Sequence, residues 1–306
     1  MNYNNPILAV GSIAFDDLET PNGIKKNVLG GSATYFSIAA SLFSNVKIVG
    51  VVGDDFPQYA WDLFNKKNIG VQNVQSLKGE TFHWGGRYND DYSSRETLFT
   101  NLGVFENFIP SIKAADLNSR FLFLGNILPD LQLNVISKIQ AHELVITDTM
   151  NLWIDISKKQ LSNVISKTDV LLLNDEEALQ YTGTQKLNAA AAQLREEGPG
   201  AVIIKLGSKG AYLSSADCSC FVPAFKVDKV IDPTGAGDSF AGGFIGCLAA
   251  TNEIDFLNAV IVGSAVASFT VEGFGLEGLL EASTSCLQTR IDYIKNEMEM
   301  PYDQKA

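Results

Sequence analysis

The stretch "DPTGAGDSFAGGFIG" (Asp232–Gly246) sets three small residues, Gly235, Ala236 and Gly237, between two aspartates and then turns apolar. A tight turn is satisfied by a glycine or two, yet here the small residues run straight into a helical pattern expected over Ser239–Ala250. A helix start carries unpaired N–H donors and a partial positive charge, so it attracts anions. With almost no side chain at 235–237, a phosphate could reach those donors, and Asp238 would stand beside it. A carboxylate repels a phosphate, which makes Asp238 a poor binding group. It is a sensible base for a hydroxyl that attacks the phosphate. Asp238 could instead simply cap the helix; the rest of the chain weighs against that.

Upstream, apolar runs alternate with helical patterns. Ile7–Gly11, Val46–Gly53, Phe121–Asn126, Leu144–Thr149, Val170–Asn174 and Ala201–Gly207 are expected as buried strands. Helices are expected at Ser32–Phe43, Tyr59–Lys67 and Leu187–Glu197. This rhythm predicts an α/β fold, a central mostly parallel sheet flanked by helices. Two segments break it: 12–29 is a polar excursion, and 80–104 has two aromatic stretches around "YNDDYSS", the pattern of an antiparallel hairpin. Together they predict a small β-sheet lid (12–29 and 80–104) over a main domain made of 1–11, 30–79 and 105–306. Ligands of such sheets collect at the strands' carboxyl ends.

The chain has 306 residues, 46% apolar and 19% charged, and a net charge of −12. That charge argues against a nucleic-acid partner held through phosphates. It leaves open a small phosphorylated ligand met by a locally positive site or Mg²⁺. Cys218, Cys220, Cys247 and Cys286 show no C-x-x-C spacing, and only His83 and His142 could assist them. A zinc site is therefore not expected, and a reducing cytoplasm is. No basic leader precedes the first apolar run, and "AVIVGSAVASFTV" is too short for a membrane span and is expected as a buried helix. The residues after the first strand, "GSIAFDD", lack G-x-G-x-x-G, which weakens a redox dinucleotide fold.

"DPTGAGDSFAGGF" resembles the C-terminal signature of the ribokinase (PfkB) family of carbohydrate and nucleoside kinases, and the resemblance runs from Leu8 to about Gly275. It implies a ribokinase-like fold, an ATP- and Mg²⁺-dependent transfer to an alcohol, Asp238 as base, and Gly235, Ala236 and Gly237 as anion hole, with Thr234 at the nucleotide. "GSIAFDD" resembles the loop whose aspartate holds acceptor hydroxyls, pointing to Asp16 over Asp17. "GGSATYFSIAASLF" resembles the family's glycine pair and helix, so Gly30 and Gly31 are expected to admit the acceptor and hinge the lid. "NDEE" resembles the N-x-x-E element: Asn174 near the nucleotide and Glu177 near Mg²⁺, through water. "KLGSKG" resembles the nucleotide-binding turn, with Lys205, Gly207 and Gly210 as candidates and Lys209 as a second lysine. "LNAVIVGSAVASFTVEGFG" resembles the segment flanking adenine, giving Asn258 and Gly275. Some relatives hold a monovalent cation near Asp232's counterpart, so K⁺ is a further expectation.

One departure stands out. Where sugar kinases of the family often carry an acceptor-binding asparagine, this chain has Tyr35, followed by Phe36. Both could be core aromatics. Otherwise, with Phe82, Trp84 and Tyr88, they would shape a pocket for an acceptor with an aromatic part; Arg87 and Arg95 could meet a negative one. The first expectation is a kinase acting on the hydroxymethyl group of a sugar or polyol. A nucleoside kinase of the adenosine or cytidine type is the second, and a catalytically silent sugar- or nucleotide-binding relative the third. The resemblance implies a monomer or a homodimer paired through the lid.

Overall fold

The computed structural model describes residues 7–140, 142–251 and 253–299, so the ends 1–6 and 300–306 of the expected main-domain range lie outside the described residues. The expected strands form as β1 (Ile7–Val10), β4 (Val46–Val52), β8 (Phe121–Leu124), β9 (Leu144–Asp148), β10 (Val170–Asn174) and β11 (Ala201–Lys205). Three strands not foreseen complete the large sheet: β5 (Gly70–Ser76), β12 (Gly210–Ser214) and β13 (Ser219–Pro223). The order is β13-β12-β11-β10-β9-β8-β1-β4-β5, parallel except for the β12 and β13 pairings. The second sheet, β3-β2-β6-β7, takes β2 (Ala14–Thr20) and β3 (Gly23–Gly30) from the polar excursion, and β6 (Phe82–Tyr88) and β7 (Arg95–Asn101) from the hairpin.

Helices cover both faces of the large sheet. They are α1 (Ser32–Ala40), α2 (Gln58–Lys66), α3 (Pro129–Lys138), α4 (Asn151–Ile156), α5 (Lys158–Ile165), α6 (Asp175–Thr182) and α7 (Leu187–Glu196), then α8 (Ala236–Ala250), α9 (Phe256–Thr270), α10 (Glu277–Leu280) and α11 (Thr284–Glu299). Strand alternation sorts the core. Ile146, Leu172 and Ile203 pack with α8 and α9; Leu171, Leu173 and Ile204 pack with Leu161 of α5 and Leu194 of α7. The glycines after Asp238 serve this packing: a Cβ on Gly242 would lie 2.4 Å from the Phe36 carbonyl of α1. Among the described residues no helix is long and apolar enough to cross a membrane.

The loop after β1 is fixed by capping α1 from a distance. Gly31, the residue at the helix N-cap, has no side chain to cap with. Ser12 replaces it: its Oγ accepts from Ser32 N (3.0 Å), its carbonyl accepts from Ala33 N (2.9 Å), and its own N–H donates to Ser32 Oγ (3.1 Å). These bonds hold the crossing from β1 into the small sheet. Ser12→Ala should cost about 1–2 kcal/mol, read as a lower Tm in thermal unfolding; an unchanged Tm would show that α1 needs no such cap.

Candidate active site

Alternation along three neighbouring strands places the chemistry. Asp148 pairs with Leu172, and Asn174 pairs with Lys205, so Asp148, Asn174 and Lys205 lie on one face. They follow Ile146, Leu172 and Ile203, which pack beneath α8 and α9, and they emerge at the strands' carboxyl ends where α8 begins. Gln132 secures this edge, donating to the carbonyls of Gly125 (3.0 Å) and Asp148 (3.2 Å). Lys205 Nζ lies 2.7 Å from Asp148 Oδ2. A Cβ on Gly237 would lie 3.2 Å from that ammonium. Lys205 is thus at the start of α8, whereas Lys209 is exposed.

Helix α8 starts three residues earlier than its apolar pattern. Its N-cap is Gly235 in the left-handed region (φ 75°), and no side chain caps it. Asp238 is therefore not the cap. Gly235 is required twice over, since a Cβ would also fall 2.3 Å from the Tyr35 ring. One expectation is corrected here. The Ala236 N–H donates to Pro233 O (3.2 Å), so the open amides of the expected anion hole are those of Gly235 and Gly237, which donate no hydrogen bond among the described residues.

Asn174 and Glu177 exchange bonds at the start of α6: Glu177 N donates to Asn174 Oδ1 and Asn174 N to Glu177 Oε2, both 2.8 Å. This capping box turns Glu177 inward toward Lys205 and Asp148. Among the described residues no three His, Cys, Asp or Glu side chains converge as a metal cage. A hard cation at Glu177 would then draw its other ligands from phosphate and water, in keeping with Mg²⁺ habits. The open amides, Lys205 and the left-handed turn at Gly207 (φ 57°), with open space above it, suit a nucleoside triphosphate.

The lid adds its own residues. On β2, Asp16 is buried (4% exposed), whereas Asp17 turns outward to Asn27 N (2.9 Å) and His83 Nε2 (2.9 Å). Gly30 is needed because a Cβ there would lie 2.0 Å from the Asp16 carboxylate, and Gly31 because one would lie 2.6 Å from Ser12 O. Both glycines are thus required by the packing of the chain itself. Asp16 pairs in register with Trp84, so Trp84 shares its face. Alternation puts Tyr88 on that face, and Arg95 opposite Tyr88 joins it. Arg95 lies over the Trp84 ring at 5.0 Å. Arg87 falls on the other face and pairs with Glu19 (2.6 Å).

Tyr88 Oη is 3.0 Å from Thr234 Oγ1. Tyr92 Oη donates to Val230 O (3.1 Å), and Asn22 Nδ2 to the same carbonyl (2.8 Å). These bonds tie the small sheet to the segment that leads into α8. Asp232 is fully buried and accepts from Thr234 N (3.0 Å) and Gly275 N (3.1 Å), so its carboxylate braces two loops where K⁺ had been expected. Tyr35 is 1% exposed beneath Gly235, and among the described residues its hydroxyl has no hydrogen-bond partner.

Two expected residues are not brought here. Asn258 Nδ2 reaches Cys247 Sγ (3.4 Å), two and a half turns along α8 from Asp238, because α9 runs back against α8. Gly210 is packed against the Val222 carbonyl of the neighbouring strand, a constraint of the sheet. Asp148 and Arg95 enter the site instead. Asp148 is the last residue of an apolar run and carried no spacing signal beyond being an acid at a strand end.

Burial and crowding set the electrostatics. Burial, then Asp148, push Asp238 up to about 7, against Lys205 and Arg95. Burial also pushes Glu177 up to about 7, against Lys205. Asp16 is pushed up to about 8 by burial, then Asp232 and Asp238, with Arg95 opposing. Burial pulls Lys205 down, but Asp148, Glu177 and Asp238 outweigh it and hold it above the usual lysine range. The lid arginine is therefore felt by three acids.

The pfkB family carbohydrate kinase profile matches residues 2–282. A cytidine kinase of Thermococcus kodakarensis is 28% identical over 244 residues, 78% of this chain and 87% of its own length. The crystal structure of a Methanocaldococcus jannaschii nucleoside kinase superposes with a TM-score of 0.78 at 23% identity, covering 96% of this chain and 100% of that one. An aminoimidazole riboside kinase of Salmonella enterica, solved with aminoimidazole riboside and an ATP analogue, gives 0.76 at 20%, covering 94% and 100%. At these identities the structural matches speak for the fold.

The charges around Asp238 can be checked by carboxyl NMR titration. Asp238 should titrate near 7. Arg95→Gln removes a charge that lowers it and should move the midpoint up; Asp148→Asn removes a charge that raises it and should move it down. A midpoint indifferent to Arg95→Gln would mean that the lid arginine does not face the base.

Proposed function

Since the chain belongs to the pfkB family of carbohydrate kinases and is an ATP-dependent phosphotransferase, we propose that its acceptor is a nucleoside, phosphorylated on the ribose hydroxymethyl group. The observation that carries this is the pairing of Asp16 with Trp84 on the inner lid face. A carboxylate there accepts hydrogen bonds from a ribose diol, and the Trp84–Arg95 stack offers a flat surface to a base. The similarity to a cytidine kinase supports the same choice. This is the second of the expectations from sequence, preferred here to the first, a free sugar or polyol.

Asp238 takes the proton of the attacking hydroxyl. The open amides of Gly235 and Gly237, with Lys205, receive the charge on the moving phosphoryl group. Glu177 would hold Mg²⁺ through water; bound Mg²⁺ neutralises charge on the phosphates. Tyr35, with its free hydroxyl among Asp16, Asp232 and Tyr88, gives the acceptor a further polar partner. Arg95 and the lid latch exclude water around the reacting groups.

Acceptor-dependent ADP release across nucleosides, free sugars and sugar acids tests the acceptor. Nucleosides should turn over and sugars should not; the reverse pattern would overturn the proposal. Asp238→Asn should lower kcat by ~10²–10⁴, and a loss of only a few-fold would remove its role as base. Because Asp238 must be ionised to accept a proton and Asp16 to accept from the diol, kcat/KM should rise with pH through about 7 and level off above about 8.

A further inference from the structure

Away from the active site, two thiols stand close together on the edge of the large sheet. Cys218 ends the turn between β12 and β13, and Cys220 lies in β13, opposite Leu213. Their Sγ atoms are 2.9 Å apart and unbonded, against about 2.0 Å for a bonded pair. Both are partly exposed. The turn is held by Ser215, whose N–H donates to Cys218 O (2.7 Å) and whose Oγ accepts from Cys218 N (3.1 Å). Arg195 Nη1 in turn donates to Ser215 O (2.9 Å). The approach of the sulfurs is thus built into the hairpin. Among the described residues no third metal-ligating side chain joins them, which leaves thiol chemistry rather than metal capture.

We propose that Cys218 and Cys220 form a dithiol modification site that a low-molecular-weight disulfide closes into an intramolecular disulfide. One thiolate attacks the reagent, forming a mixed disulfide and releasing one thiol. The second thiolate then displaces the remaining half, releasing another. Two protein thiols are oxidised and one reagent disulfide is reduced to two thiols. The order follows from the surroundings: burial, then Cys218, push Cys220 up to about 12, so Cys218 attacks first. Cys220 Sγ, held 2.9 Å from Cys218 Sγ, is then the thiol placed to resolve the mixed disulfide.

The other two cysteines serve as controls. Cys286 is exposed and Cys247 is buried. The native protein would be incubated with glutathione disulfide, digested and weighed peptide by peptide. The Cys218–Cys220 peptide should lose two hydrogens, reversibly with dithiothreitol. The Cys286 peptide should gain one glutathione, and Cys247 should stay reduced. In Cys220→Ser the mixed disulfide at Cys218 cannot be resolved, so glutathione there should rise from near none to near stoichiometric. The proposal is overturned if both thiols stay reduced while Cys286 reacts, or if each carries its own glutathione in the unaltered protein. Neither outcome depends on the acceptor or the kinase chemistry.

Discussion

The ion pair between Lys205 and Asp148 lets an acidic site exist at the start of α8. Asp148, Glu177 and Asp238 converge on Lys205 from β9, α6 and α8, and the ammonium answers all three. Burying a charge pair costs desolvation and is a weak source of stability. Its value here lies in what the pair prevents. A carboxylate in direct contact with a lysine has a depressed pKa and is a feeble base. With Asp148 holding Lys205 at 2.7 Å, the ammonium stays beside Gly237 without being bonded to Asp238, which keeps its raised pKa and its basicity. The same lysine stays within reach of a phosphate at the open amides.

That arrangement depends on the order of the strands. Asp148, Asn174 and Lys205 are far apart in sequence and become neighbours because β9, β10 and β11 lie side by side in parallel. The apolar residue two positions earlier in each strand is buried under the α8–α9 layer, so the polar residue is carried past the helix start. Stability and chemistry use the same face, one alternation apart.

The same dependence explains what could be foreseen from residues alone. Central strands stood out as continuous apolar runs, and the small residues before Asp238 marked a helix start. The strands β5 and β13 did not stand out, since "GVQNVQS" and "SCFVP" lie at the two edges of the sheet and carry polar, half-exposed positions. Asp148 was passed over inside the expected strand Leu144–Thr149 because its partner, Lys205, is 57 residues away. Gly30 and Gly31 were read as admitting the acceptor, and the packing need behind them, room for Asp16 and Ser12, was not visible without the fold. Arg87 and Arg95 were equivalent on paper; hairpin register put them on opposite faces. Asn258 was assigned to the nucleotide by similarity of its segment, and the return direction of α9 took it to the far end of α8.

The lid shows why such a site stays responsive. Its latch consists of neutral hydrogen bonds from Tyr88, Tyr92 and Asn22, each worth about 1 kcal/mol net because water offers the same bonds to the open form. Beside this latch Asp16 is buried and pushed up to about 8, first by burial, a cost to the folded protein whenever that carboxylate is ionised. On the proposal that the small sheet closes over an acceptor, a ligand whose hydroxyls bond to Asp16 would offset that cost only in the form that brings the two together, and such a differential interaction is what shifts an equilibrium. Acceptor binding and the position of the small sheet would thereby be tied to one buried carboxylate.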